Sequence, residues 1–205
     1  MLRGLVLGLC TFAVAYTVES LIIVNRGNFE SLKIYVSTYA VGQNIGQRTQ
    51  ALFFMICIAG NIINVVMEEG IFRGLFGKIL GQKYSFIVSA LIASALFGFW
   101  HIVGPVRNYF DGESSTDGMI ASAVMLIFTS ALVGFKFALI TKMTGNIFMA
   151  MGDHFVNNTI VNLLHVLSER GADELMSVRV AIAQTLSFAA VLLWFRKKTT
   201  VQKQS

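Results

Sequence analysis

Charge is what this sequence has least of. Asp, Glu, Lys and Arg make up 13% of its 205 residues, against 55% hydrophobic, where a soluble domain carries about 25% charge. So little charge cannot cover the surface of a water-soluble domain this long, which excludes an ordinary soluble enzyme and leaves a membrane protein. Proline is nearly missing: Pro105 stands alone beside 18 glycines, a balance that suits closely packed membrane helices better than a turn-rich β protein. The two cysteines, Cys10 and Cys57, fall in apolar runs and read as small buried hydrophobes, not as a disulfide or metal pair. The net charge of +5 is spread over the ends of apolar runs with no basic face, which argues against nucleic acid as a partner. Also absent are a His-Glu-x-x-His zinc helix, a Gly-x-Ser-x-Gly elbow and a pair of aspartates on separate spans.

What the sequence does have is a succession of apolar runs: residues 5–24, 51–67, 84–103, 119–140, 147–167 and 178–195. The expected fold class is all-α, a polytopic bundle of about six transmembrane helices with a polar intramembrane cavity. It forms one membrane-embedded domain over residues 1–205, with a motif-bearing core at 51–167. The first run starts at a charge, Arg3. Its length, the internal Glu19 and the lack of a small-x-small cleavage site favour an uncleaved helix over a signal peptide. Residues 25–50 are more polar and read as a loop with a surface helix, and residues 74–81 as a short amphipathic segment at the interface. Lys136 falls near one end of the fourth run, where a long side chain snorkels. Arg3, Arg73, Lys78, Lys83, Lys142 and residues 196–198 collect on one side, so the positive-inside rule puts both termini in the cytoplasm of a cell-membrane protein. This map carries one conflict. Glu68 falls near the cytoplasmic end of the second span and His101 near the opposite end of the third, so a broken, tilted or shifted span is needed to bring them to one depth.

The polar groups inside these runs carry the functional signal. Glu68 and Glu69 close the second run, with Arg73 one turn beyond. A carboxylate in hydrocarbon costs roughly 2.5–3.5 kcal/mol on insertion scales, so an adjacent pair implies a task. Asn61, Asn64 and Glu68 recur at i, i+3 and i+7 and share a helical face; the two asparagines read as structural. His154 and Asn158, four residues apart, project from one face of the fifth run. Asp153 reads as a cap or a cavity-edge partner and His165 as interfacial. A carboxylate, two imidazoles and an amide from three apolar helices converge only inside a bundle. Peptide hydrolysis needs an activated water, a charge-stabilising hole and a proton source, and these residue types supply all three. Glu68, His101 and His154 also match a two-His, one-carboxylate metal set with a fourth position open.

Glu68-Glu69-x-x-x-Arg73, then Phe97-x-x-x-His101, then His154-x-x-x-Asn158, in that order on successive hydrophobic segments, resemble the CPBP family. These are the CAAX prenyl-protease type II and bacteriocin-processing (Abi) membrane proteins. Every motif position is matched. The resemblance implies an intramembrane endopeptidase acting on a membrane-associated or lipid-adjacent peptide or protein. Carried over, Glu68 is the general base that activates water, and His101 positions or polarises that water. His154 and Asn158 stabilise the oxyanion, while Glu69 and Arg73 organise the site or bind the substrate's end. A glutamate mechanism without a cofactor is preferred, because Asn158 donates to an oxyanion better than it ligates zinc. If a divalent metal such as zinc is required, its ligands are Glu68, His101 and His154. The alternative is a non-catalytic bacteriocin-immunity or scaffold protein that binds a peptide or partner in the same cavity. A small transporter weighs least, for want of an inverted repeat. The expected partners are the lipid bilayer and a peptide or protein substrate; oligomeric state is not legible.

Overall fold

A computed structural model describes residues 1–39 and 44–204; residues 40–43, within the stretch read as a loop with a surface helix, lie outside the described residues. Among the described residues, five helices are long and apolar enough to cross a membrane: Leu2–Asn25, Ala51–Gly81, Phe86–Phe110, Thr116–Thr144 and Met176–Thr200. Their outer faces carry Leu9, Ile63, Leu91, Phe128 and Leu193, each more than half exposed, a surface suited to lipid and not to water. The protein is all-α in class and multi-pass in the membrane. It divides into two compact units, Met1–Met67 with Phe148–Ala190 and Glu68–Ile147 with Val191–Ser205.

The first unit is built on α1 (Leu2–Asn25), most of α2 (Ala51–Glu69), α7 (Phe148–Leu163) and the N-terminal part of α8 (Met176–Gln204). Helices α1 and α7 approach through small residues: a β-carbon at Gly4 would overlap the Met149 carbonyl, and one at Gly152 would overlap that of Met1. Such contacts let backbones pack closely where no water drives association. Phe12, Ala15, Tyr16 and Ile23 of α1 form a core with Val156, Val166 and Ala183.

The polar stretch after α1 contains a strand, not the expected surface helix. β1 (Phe29–Ile34) pairs antiparallel with β2 (Leu164–Ser168), which pairs in turn with β3 (Gly171–Ala172). A register shift between Phe29 and Ser31 breaks the two-residue alternation that would have marked β1 in the sequence. The same sheet corrects the fifth run. Helix α7 stops at Leu163, and Leu164 to Ser168 leave it for the sheet. Its 16 residues span roughly 24 Å at 1.5 Å per residue, short of a bilayer core of about 30 Å. The Tyr16 hydroxyl donates to the Leu164 carbonyl at 2.5 Å, satisfying a group that the end of the helix would orphan.

In the second unit, α2 does not end at the carboxylates. It continues through a π-helical turn (Gly70–Phe76) into α3 (Gly77–Gly81), a candidate span of 31 residues, so residues 74–81 are the end of a span and not a separate interfacial segment. Similarly, α4 (Phe86–Trp100) turns at His101–Ile102 and resumes as α5 (Val103–Phe110). Both extensions resolve the conflict of depths: Glu68 and His101 each lie well inside a span. Helix α6 (Thr116–Thr144) is capped by the Ser115 hydroxyl, which accepts from the Gly118 amide, and by Gly145 in the left-handed region. It packs on α4 where a β-carbon at Gly98 would overlap the Ile127 carbonyl. Because α6 reaches Thr144, Lys136 is two turns from its end and fully buried; it does not snorkel. Cys10 is likewise exposed on α1, whereas Cys57 is buried as expected.

Candidate active site

The second unit holds the carboxylates. Glu68 and Glu69 are buried on the last turn of α2, immediately before the π-helical turn. Such widened turns inside α-helices occur frequently at functional sites. The Trp100 indole N–H donates to Glu68 Oε1 at 3.1 Å. Arg73 Nη1 pairs with Glu69 Oε1 at 3.1 Å, with both side chains at most 3% exposed. The Arg73 guanidinium is boxed by aromatic rings, 4.1 Å from the Phe97 centroid and 5.2 Å from that of Phe137. A desolvated guanidinium over a ring face gains about 2 kcal/mol, which offsets part of the cost of its burial. Across from it, a β-carbon at Gly134 would come within 2.9 Å of Arg73 Nη2. Half-buried His101, at the turn between α4 and α5, places Nδ1 2.8 Å from the Phe97 carbonyl. A carbonyl only accepts, so Nδ1 carries a proton.

The first unit holds the histidine–asparagine pair. His154 is buried and Asn158 half-buried on α7, and Asn158 Nδ2 lies 3.2 Å from His154 Nε2. This geometry is the end of a chain of amides. Gln184 Nε2 of α8 donates to Asn157 Oδ1 at 2.7 Å, and Asn157 Nδ2 donates to Asn158 Oδ1 at 3.0 Å. With its oxygen engaged, Asn158 presents its NH2 group to His154, whose Nε2 accepts. Asp153 accepts from the Ser187 hydroxyl at 3.2 Å, a link from α7 to α8 and not a helix cap. Asn61 donates to the Cys57 carbonyl at 2.9 Å, in keeping with its structural reading.

Thus Glu68, Glu69, Arg73 and His101 belong to the second unit, and His154 and Asn158 to the first. Trp100, Asn157 and Gln184 escaped the sequence reading. Their only signal was a hydrogen-bonding group beside a motif residue or alone in an apolar run. His165 is buried, with Nδ1 2.6 Å from Asp173 Oδ2 and Nε2 3.1 Å from the Tyr35 carbonyl. Asp173 continues the network to Arg179 Nη2 at 2.9 Å, and Arg179 Nη1 reaches Glu19 Oε2 at 2.7 Å. Burial pushes the Asp173 carboxyl up, but its bond from His165 and the charge of Arg179 outweigh that and hold it below the usual carboxylate range.

Apolar spanning helices with buried carboxylates, a guanidinium and a His–Asn pair define a multi-pass membrane protein with polar machinery inside its hydrophobic segments. Comparison with known proteins specifies the family. Residues 50–160 match the model described as type II CAAX prenyl endopeptidase Rce1-like, and the chain belongs to that family. A relative from Bacillus subtilis (strain 168), named "Putative membrane peptidase YdiL", is 24% identical over 164 residues, covering 77% of this chain and 58% of the relative. The chain therefore spans somewhat over half the length of that relative. No solved structure matches it. The family is described as one of endopeptidases, and the relative is named a membrane peptidase.

Proposed function

We propose that the protein is an intramembrane endopeptidase that cleaves a membrane-associated or lipid-adjacent peptide by glutamate-activated water. The observation that carries this reading is the Glu68 carboxylate, buried inside a span, oriented by an indole N–H and set at the head of the family's ordered motifs. Glu68 removes a proton from water while His101 Nε2 holds that water. The resulting hydroxide attacks the peptide carbonyl. Asn158 Nδ2 carries two N–H groups; one engages His154 and the second meets the oxyanion as charge develops there. The proton held on Glu68 then passes to the leaving amine, and the Glu69–Arg73 pair keeps the adjoining turn rigid.

A metal route suits the residues less well. His101 resembles a zinc-binding histidine, since its other nitrogen is tied to a carbonyl. The Nε2 lone pair of His154, however, takes an amide N–H and is not presented to a cation.

The test is cleavage of a membrane-peptide library by purified protein in detergent. Wild type, Glu68→Gln and His154→Ala are compared with and without chelator. Loss of the base should cost 10²-fold or more in kcat, on the scale of general-base catalysis of about 10²–10⁴, with activity surviving chelator. Activity retained in Glu68→Gln sinks the proposal. Loss on chelation restored by zinc makes Glu68, His101 and His154 metal ligands. Protection of a host cell unaffected by Glu68→Gln favours the bacteriocin-immunity or scaffold reading.

A further inference from the structure

Beside the C-terminal end of α7, within the first unit, lies a cavity of about 530 Å³, inside the roughly 300–1,000 Å³ range of ligand pockets. We infer that it is a substrate subsite for an uncharged, amide-rich peptide segment, with the buried side-chain amide of Asn162 as its recognition group. The inference rests on the proposed peptidase function.

Three observations carry it. The first is placement. Asn162 follows Asn158 by one turn and His154 by two, so at 1.5 Å per residue it stands about 6 and 12 Å along the axis from them. An extended peptide advances roughly 3.3 Å per residue. A substrate whose scissile carbonyl meets His154 and Asn158 therefore reaches Asn162 about two to four residues away.

The second observation is an amide without a partner. Asn162 is 8% exposed and lines the cavity. Its backbone carbonyl is committed to the Ser37 amide at 3.2 Å and to His165 Nε2 at 3.3 Å, but its side-chain amide makes no hydrogen bond among the described residues. An amide offers one donor face and one acceptor face, which complement the C=O and N–H of a peptide group.

The third is charge. The ionised groups at this cavity are paired among themselves. The two ring nitrogens of His165 are engaged by Asp173 and the Tyr35 carbonyl. Asp173 meets His165 and Arg179, and Arg179 in turn meets Glu19. An ionic ligand would find no counter-charge and would lose its hydration, whereas a neutral polar segment meets Asn162 and the exposed Gln47 with the apolar walls of Val161 and Met176.

The experiment uses the full-length protein in detergent and a library of N-acetylated peptide amides. One position carries Asn, Gln, Ser, Leu, Asp or Lys, and binding is measured by thermophoresis. Wild type and Glu68→Gln should bind the Asn, Gln and Ser peptides equally well and better than the Asp and Lys peptides. Asn162→Ala should weaken that binding at least tenfold, and Gln47→Leu, on the exposed wall away from the core, several-fold. Unchanged affinity in both wall variants, preference for a charged peptide, or no binding to wild type overturns the subsite. If Glu68→Gln still cleaves, the catalytic reading fails by itself, because the binding arm decides the subsite without turnover.

Discussion

Trp100 is nearly half exposed on α4, yet its indole N–H is spent on a buried carboxylate. Burying one end of a large ring to aim a single hydrogen bond makes sense if the orientation of Glu68 matters. Replacing Trp100 by Phe keeps most of the apolar surface and removes only the donor. The expected result is about a tenfold fall in kcat with KM little changed, matching the roughly 1–1.5 kcal/mol of one such bond; steady-state kinetics on one cleaved peptide reads it. The amide chain makes the same argument for the other motif. Gln184→Leu leaves Asn157 free to turn and Asn158 with it, so kcat should fall about as far while thermal stability in detergent changes little. A change in stability without a change in kcat would make the chain of amides a structural brace only.

At the scale of elements, two close helix approaches place the motif residues: α1 against α7 for His154 and Asn158, and α4 against α6 for His101. Each depends on a glycine facing a backbone carbonyl. Gly98→Val and Gly152→Val should each lower the thermal midpoint in detergent, by an amount consistent with roughly 1–3 kcal/mol of overpacking, with activity lost in parallel. The elements were legible in the sequence to unequal degrees. Apolar runs and their helical character were plain, because hydropathy is local. The continuity of α2 through Gly70, Gly74 and Gly77 was not, since glycine and scattered charge read as a break where the chain merely widens its turn. The strands were hidden as well: β1 and β2 are far apart in the chain, Lys33 pairing with His165, and neither alternates cleanly.

For the molecule as a whole, the buried chain of Glu19, Arg179, Asp173 and His165 ties α1, α8 and the sheet of the first unit. Asp173 is held below its ordinary value in the folded state. A depressed carboxyl stabilises the fold fully above its unfolded value of about 3.9, and that stabilisation is lost as pH falls through the folded value. Unfolding in detergent should therefore steepen below about pH 4. Asp173→Asn should flatten that acid limb and lower stability at neutral pH, because Arg179 Nη2 and His165 Nδ1 would lose the buried carboxylate that accepts from them. An acid limb identical in the two proteins would remove Asp173 from this role.

The sequence by itself determined that the protein lives in a membrane, that it is helical, and which residue types stand in the family's order at Glu68, Glu69, Arg73, His101, His154 and Asn158. Each of those follows from hydropathy, helical period or spacing within a few turns. Only the tertiary structure decided that Glu68 is held by Trp100, that Asn158 is aimed by Asn157 and Gln184, that His165 belongs to an ion network, and that Lys136 and Arg179 are buried. Those are pairings between distant parts of the chain. Which donor meets which acceptor depends on how close the helices pack, and no single stretch of sequence contains that distance.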